Sequence, residues 1–251
     1  MDSEKNKNIQ EHKQQVRTAI LVDGGFYRKR AATLCGKKNP KDRAEELFGF
    51  CMDLLADKHQ DRCLYRIFYY DCPPITDDRN IYNPITKKSV RLGKSDESKW
   101  TTAFLEELKH HRKIALRLGR LSENQLHYNL KYDSFKKLIN KQISIDDLTE
   151  NDIKLNVEQK GVDMRIGIDI SSLSIKKQVD QIILISGDSD FVPAAKQARR
   201  EGIDFILAPM KADIKSDLFE HIDGKTDKLP RKTYTKQLNA EIPEKQDKTT
   251  R

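Results

Sequence analysis

No run of 18 apolar residues occurs anywhere in the 251-residue chain, so no stretch has the length and apolarity of a membrane-spanning helix. The segment from Met1 to Arg17 is almost wholly polar and lacks the apolar stretch of a secretory signal, which predicts a cytoplasmic protein with no membrane partner. Cysteine is scarce as well. Cys35, Cys51, Cys63 and Cys72 lie 16, 12 and 9 residues apart, with no C-x-x-C pair and no histidine spaced to complete a structural zinc site. Reduced thiols filling the core are the expected state. Nor is there a Ser/His/Asp or Cys/His arrangement for nucleophilic catalysis, and no internal repeat is present.

What the chain does have is charge. Apolar residues make up 37% and charged residues 34%, the balance of a modest core under a heavily charged surface, and the formal net charge is +8. A basic surface attracts polyanions such as nucleic acid. The excess is not evenly spread: from Lys225 to Arg251, eight Lys/Arg face four Asp/Glu, so half of it belongs to the last 27 residues. Two prolines, many Lys and Thr and few apolar residues predict disorder over 225–251, as they do for the polar leader 1–16.

Between these ends the pattern alternates. Thr18-Ala-Ile-Leu-Val22, closed by Asp23-Gly24-Gly25, has the look of a buried parallel strand. Leu47, Phe48, Cys51, Leu54 and Leu55 then fall at helical spacing, and Leu64 to Tyr70 forms a β-branched and aromatic run ended by Asp71. A polar, turn-rich stretch runs from Pro73 to Ser98. A helix over 100–110 and a strand over 114–118 follow, then a charged, helical insertion over about 122–159.

From Lys160 the signal sharpens. Val162, Ile166, Ile170 and Leu173 recur at steps of four, four and three, which favours a helix over the period-two strand that also fits 162–170. Gln181 to Ile185 is an apolar strand, followed by the turn Ser186-Gly-Asp-Ser-Asp190. The helix Phe191 to Arg200 carries Pro193 in its first turn, and Asp204 to Leu207 is one more strand. The sum is an α/β domain over 17–224 built on a mostly parallel central sheet flanked by helices.

Two acidic turns follow apolar strands directly: Asp23 after one, Asp188 and Asp190 after the other. Ligands of open parallel sheets bind beyond the carboxyl ends of strands, so these carboxylates can converge on one crevice, with Asp163 near a helix start able to join them. Crowded carboxylates repel one another unless a cation neutralises them, and hard oxygen ligands suit Mg²⁺ or Mn²⁺. Taken singly, each has a plainer role: Asp23 as a turn former, Asp188 or Asp190 as a helix cap.

Ala19-Ile-Leu-Val-Asp-Gly-Gly-Phe26, Lys160-Gly-Val-Asp163 and Ile185-Ser-Gly-Asp-Ser-Asp-Phe191 resemble the three signature segments of the NYN domain family, the PIN-like ribonucleases that include the LabA-like proteins. Phe68-Tyr-Tyr-Asp71 is similar to the end of that family's second strand. The resemblance implies a PIN-like Rossmannoid fold and a Mg²⁺- or Mn²⁺-dependent endoribonuclease, with RNA as partner and the metal ligands and catalytic acids falling on Asp23, Asp163, Asp188 and Asp190. Asp169 matches a further acidic position. On a helix, however, it stands about 240° round from Asp163. Phe26 replaces the Asn that many members carry three residues after the first Asp. Arg28, Lys29, Arg30, Lys176, Lys177, Lys196, Arg199 and Arg200 are the basic residues near the acidic turns that could hold a phosphate backbone.

Two rival functions are a non-catalytic RNA-binding module of the same fold and, ranked lower, a phosphohydrolase of the haloacid dehalogenase type. Against the first stands the fact that no signature aspartate has been replaced in this chain. The phosphohydrolase needs a second Asp two residues after its nucleophile, and Gly25 stands there instead. Neither RNA over single-stranded DNA nor an oligomeric state is legible in the residues.

Overall fold

The computed structural model describes residues 15–76, 79–122, 126–157 and 159–233. Its centre is a six-stranded, wholly parallel sheet. In chain order the elements begin with β1 (Val16–Asp23), α1 (Gly24–Cys35), α2 (Pro40–Leu55) and β2 (Arg62–Asp71). An antiparallel hairpin, β3 (Asn80–Asn83) and β4 (Lys88–Arg91), precedes α3 (Asp96–Lys109) and β5 (Ile114–Leu118). Then come β6 (Arg120–Leu121), β7 (His127–Leu130), α4 (Tyr132–Ile139), β8 (Ile153–Asn156) and β9 (Gln159–Lys160). The chain closes with α5 (Val162–Ile175), β10 (Gln181–Ile185), α6 (Val192–Arg200), β11 (Asp204–Leu207), α7 (Ser216–Phe219) and β12 (Gly224–Lys225).

The sheet order is β12-β11-β10-β1-β2-β5. Both faces of its central strands are covered, which is why those strands read as unbroken apolar runs and not as alternating ones. Side chains still alternate between faces. Ile20, Val22, Ile67, Tyr69, Ile183 and Ile185 pack under α1, α2 and α3. Ala19, Leu21, Phe68, Tyr70, Ile182 and Leu184 pack under α5, α6 and α7. The result is a three-layer α/β sandwich. Among the described residues no helix is long and apolar enough to cross a membrane.

Three expectations change. The stretch 122–159 is not mainly helical: β7 and β8 form an antiparallel ladder, and α4 is a single short helix between them. Its four-residue strands are half-buried, too short for a period-two signal to stand out. The chain after 224 does not simply trail away. β12 completes the sheet, Pro230 is buried, Leu229 packs on the core and Arg231 pairs with Asp53 at 2.8 Å. The expectation of disorder otherwise falls on 1–14 and 234–251, which lie outside the described residues; Val16 already belongs to β1. Third, α1 was not anticipated at all, because Gly24-Gly25 and the run Arg28-Lys29-Arg30 hide a helix whose buried face is only Gly24, Tyr27 and Ala31.

Helix and not strand is the outcome at 162–175. Val162, Ile166, Ile170 and Leu173 line its buried face, while Met164 and Ile168 are exposed.

Candidate active site at the carboxyl edge of the sheet

From β1 the chain builds outward through β2 to β5, and on its other side β10 is followed by β11 and β12. Strand order therefore reverses between β1 and β10, and the gap beyond their carboxyl ends is the natural crevice of such a sheet. Val22 is paired with Ile185, so Asp23 and Ser186 leave the sheet side by side.

Asp23 is fixed by both oxygens. Oδ1 caps α1 by accepting the Phe26 amide at 3.0 Å, and Oδ2 accepts the Ser186 hydroxyl at 3.2 Å. Ser186 also accepts the Asp188 amide through its hydroxyl oxygen at 3.3 Å. Asp188 in turn accepts the Asp190 amide at 3.0 Å, closing the turn that leads into α6. Asp163 sits in the first turn of α5, after Gly161 in the left-handed conformation (φ 80°). The cap and turn roles are thus real for Asp23 and Asp188. They do not exhaust a carboxylate, which has about four acceptor positions.

Electrostatics ties these acids together. Burial pushes the Asp23 carboxyl above its ordinary value; the Phe26 and Ser186 bonds pull it down in part, and the charges of Asp163 and Asp71 push it up again. Asp163 is also raised, by burial first and then by Asp188 and Asp190. Asp23, Asp163, Asp188 and Asp190 therefore share one field of like charge. An all-carboxylate donor set of this kind suits a hard divalent cation. Among the described residues, no three His, Cys, Asp or Glu side chains converge as a ready-made ligand cluster.

Asp169 stands apart. It accepts the Tyr70 hydroxyl at 2.8 Å and pairs with Arg117 at 3.1 Å, so it ties α5 to β2 and β5. Of the basic residues, those on α1 lie close to the acids. Arg28 is committed to Asp71, at 3.1 and 3.0 Å to its two oxygens. Arg30 donates to the Met210 carbonyl, and Lys29 is exposed. The others lie at the wrong end of their helices. Lys176 and Lys177 follow the last turn of α5, where Lys177 pairs with Glu201, and Arg199 pairs with Asp223 at 2.8 Å. Lys196, Arg199 and Arg200 line an open cleft of about 650 Å³ with Gly202, Ile203 and Asp204, at the amino edge of the sheet. Adjacency in sequence to an acidic turn did not reveal that a helix carries its far end to the opposite edge.

The group that sequence reading passed over is Asp71. It ends β2, is fully buried, and accepts the Tyr69 hydroxyl at 2.9 Å and the Cys72 amide at 2.8 Å besides Arg28. An acid directly after an apolar strand was the signal that singled out Asp23, and Asp71 carries it equally. Gly24 belongs to the same corner: a Cβ there would stand 2.6 Å from the Tyr70 carbonyl oxygen and 2.5 Å from the Tyr69 hydroxyl, so only glycine lets α1 start against β2. Phe26 lies over the neighbouring turn, its ring 3.1 Å from where a Cβ on Gly187 would stand.

No functionally curated protein matches the chain. Among solved structures, a protein of unknown function from Vibrio parahaemolyticus is similar over 86% of this chain and 94% of that one, at 14% identity and a TM-score of 0.44. A family model described as the NYN domain matches residues 87–224. That range holds Asp163, Asp169, Asp188 and Asp190, with Asp23 preceding it. With more than half of its length matched in this way, the chain belongs to the NYN domain family.

Proposed function

We propose that this protein is a metal-dependent endoribonuclease that hydrolyses RNA phosphodiester bonds in the crevice between β1 and β10. NYN domains are PIN-like and generally ribonuclease-like, and the family typically uses divalent metal. The observation that carries the reading in this chain is the placing of Asp23 and the Asp188–Asp190 turn directly after neighbouring parallel strands at the strand-order switch, with the charge of Asp163 acting on Asp23 and those of Asp188 and Asp190 acting on Asp163. These four residues would hold Mg²⁺ or Mn²⁺. Bound there, the ion would lower the pKa of a water and stabilise charge on the phosphate. The chain's own part is positional. Phe26 and Ser186 fix both oxygens of Asp23, and the Asp190 amide fixes one oxygen of Asp188, so these carboxylates are oriented before any ligand arrives.

The test pairs a melting curve with a cleavage assay on the same samples, in EDTA, Mg²⁺, Mn²⁺ and Ca²⁺. Cleavage is expected with Mg²⁺ and Mn²⁺ only, while every ion that binds the folded state raises Tm by mass action. Ca²⁺ accepts more ligands at longer distances, so it should stabilise without supporting cleavage. Asp188→Asn should fold and lose cleavage by roughly 10²-fold or more, the scale of removing one charge-stabilising group. Full cleavage in EDTA, or wild-type cleavage by folded Asp188→Asn, would overturn the reading. RNA binding with no cleavage under any ion would favour the non-catalytic RNA-binding module instead.

A further inference from the structure

The two excursions from the α/β core meet each other. Asn83 of the β3–β4 hairpin donates to Glu150, in the insertion that carries α4, at 2.9 Å. Between them and the end of β2 is a cavity of about 320 Å³. One side is the segment Cys72 to Ile75 with the first turns of α3; Val90 and Leu92 close a second, and Tyr128, Leu155 and Val157 a third. Tyr128 and Leu155 are direct cross-strand partners in the β7–β8 ladder, so the ladder presents them as one surface.

Two further lining residues join the cavity to the acidic crevice. Gln159 has its Oε1 4.0 Å from the point where a Cβ on Gly25 would stand, next to Asp23. Arg28 lines the cavity while bonding Asp71, whose charge acts on Asp23. Among the described residues its Nε is buried without a hydrogen-bond partner, a donor that a ligand acceptor could satisfy.

The volume lies at the low end of small-molecule sites, about 300–1,000 Å³, which suits one compact group and not a folded or extended chain. The walls are apolar and include an aromatic ring. The polar lining can both donate and accept: the Gln159 amide, the Arg28 guanidinium, the Glu97 carboxylate and the hydroxyls of Ser95, Ser98 and Thr101, of which Ser98 already donates to the Ile75 carbonyl. A nucleobase has that complementary make-up, with two apolar faces and an edge of donors and acceptors. Single-stranded RNA is recognised largely through such unstacked bases.

We infer that this cavity is a base-binding subsite, which takes one unstacked base of a single-stranded RNA beside the strand-order switch. The insertion and the hairpin are the parts that make it. Its place next to a scissile phosphate rests on the ribonuclease reading; its affinity for a base does not.

The test measures binding by the full chain of a short single-stranded RNA, of the same strand with one abasic residue walked along it, and of the four nucleoside monophosphates against ribose 5-phosphate. Each is run in EDTA and again with Ca²⁺. Loss of the base at one position is expected to weaken binding about tenfold, the scale of one stacked base. Tyr128→Ala and Gln159→Ala, each verified by melting curve, should abolish that positional penalty, and Tyr132→Ala, on the exposed face of α4, should retain it.

No measurable RNA binding in either condition, no positional penalty in the parent protein, or an undiminished penalty in both folded variants would overturn the inference. So would monophosphates binding as tightly as the strand, which would make this a free-nucleotide site. Cleavage of the same strand with Mn²⁺ is scored separately. A protein that shows the penalty but never cleaves sinks the ribonuclease reading and leaves the subsite standing; one that cleaves without the penalty does the reverse.

Discussion

Replacing Arg28 by Met removes a charge from a pair whose carboxylate the fold has sealed off. Asp71 is fully buried and the Arg28 side chain is 22% exposed, with contacts of 3.1 and 3.0 Å to the two carboxylate oxygens. Breaking a buried pair by removing one partner costs about 3–5 kcal/mol, because the survivor keeps its desolvation penalty without compensation. Here the Tyr69 hydroxyl and the Cys72 amide still donate to Asp71, and Arg28 retains some solvent. A loss of about 2–4 kcal/mol is therefore expected, which at ~2–4 °C per kcal/mol in a domain of this size is a fall in Tm of about 4–16 °C. Neutralising the survivor should restore much of it: Arg28→Met with Asp71→Asn should recover at least half, as a positive coupling in a double-mutant cycle. The unpaired charge should also push the Asp23 carboxyl higher still, since Asp71 already raises it. A Tm loss under about 2 °C for Arg28→Met, or a double variant no better than the single, would refute the argument that this pair holds the corner of the site together.

The charge of the crevice gives a second expectation, with the opposite sign. Asp163 has its pKa raised above the ordinary value of 3.8 in the folded state, so its ionised form is disfavoured there. The penalty is absent below that ordinary value, grows as pH rises through the raised one and is complete at neutrality. In EDTA at pH 7, Asp163→Asn should therefore raise Tm, while the wild type alone should gain strongly from Mn²⁺; a lower Tm for the variant would overturn the shared-field picture. For the C-terminus, truncation after Thr233 should leave Tm within about 2 °C of the parent, whereas truncation after Gly224 should lower it by more than about 4 °C, because only the second removes the Lys225 pairing and the packing of Leu229 and Pro230. Equal melting of the two truncations would show that 225–233 contributes nothing to the fold.

How much of this could be read from the chain depended on how each residue is used. β1, β2, β10 and β11 were legible because a strand covered on both faces is apolar along its buried length, as 19–22 and 182–185 are. α5 was legible because its buried residues keep helical spacing over three turns, enough to defeat a period-two reading of the same stretch. Shorter elements gave no such redundancy. β3, β4, β7 and β8 have four residues each, and their partners lie in stretches that look like loops. Leu229 and Pro230 are isolated apolar residues in a polar run, and only the neighbouring strand and helix explain why they are held. In the site, the acids that follow strands could be placed at one edge because parallel strands all end there. The basic residues could not, because a residue on the return helix can lie at either edge.

The buried and half-buried acids of this molecule differ in what faces each one. Asp71 has Arg28, and Asp169 has Arg117 together with the Tyr70 hydroxyl; each is neutralised inside the protein and serves to fix elements together. Asp23 and Asp163 are the converse. The groups that raise them are burial and other carboxylates, and the bonds that oppose this at Asp23 come from a neutral amide and a neutral hydroxyl. A neutral donor orients a carboxylate but cannot cancel its charge, so the repulsion remains stored in the folded state until a cation or protons arrive. On this criterion the cap and turn geometries of Asp23 and Asp188 are not rivals of a catalytic role. They hold the oxygens in place at the carboxyl edge of the sheet, and under the proposed function the uncancelled charge is what a bound ion would neutralise.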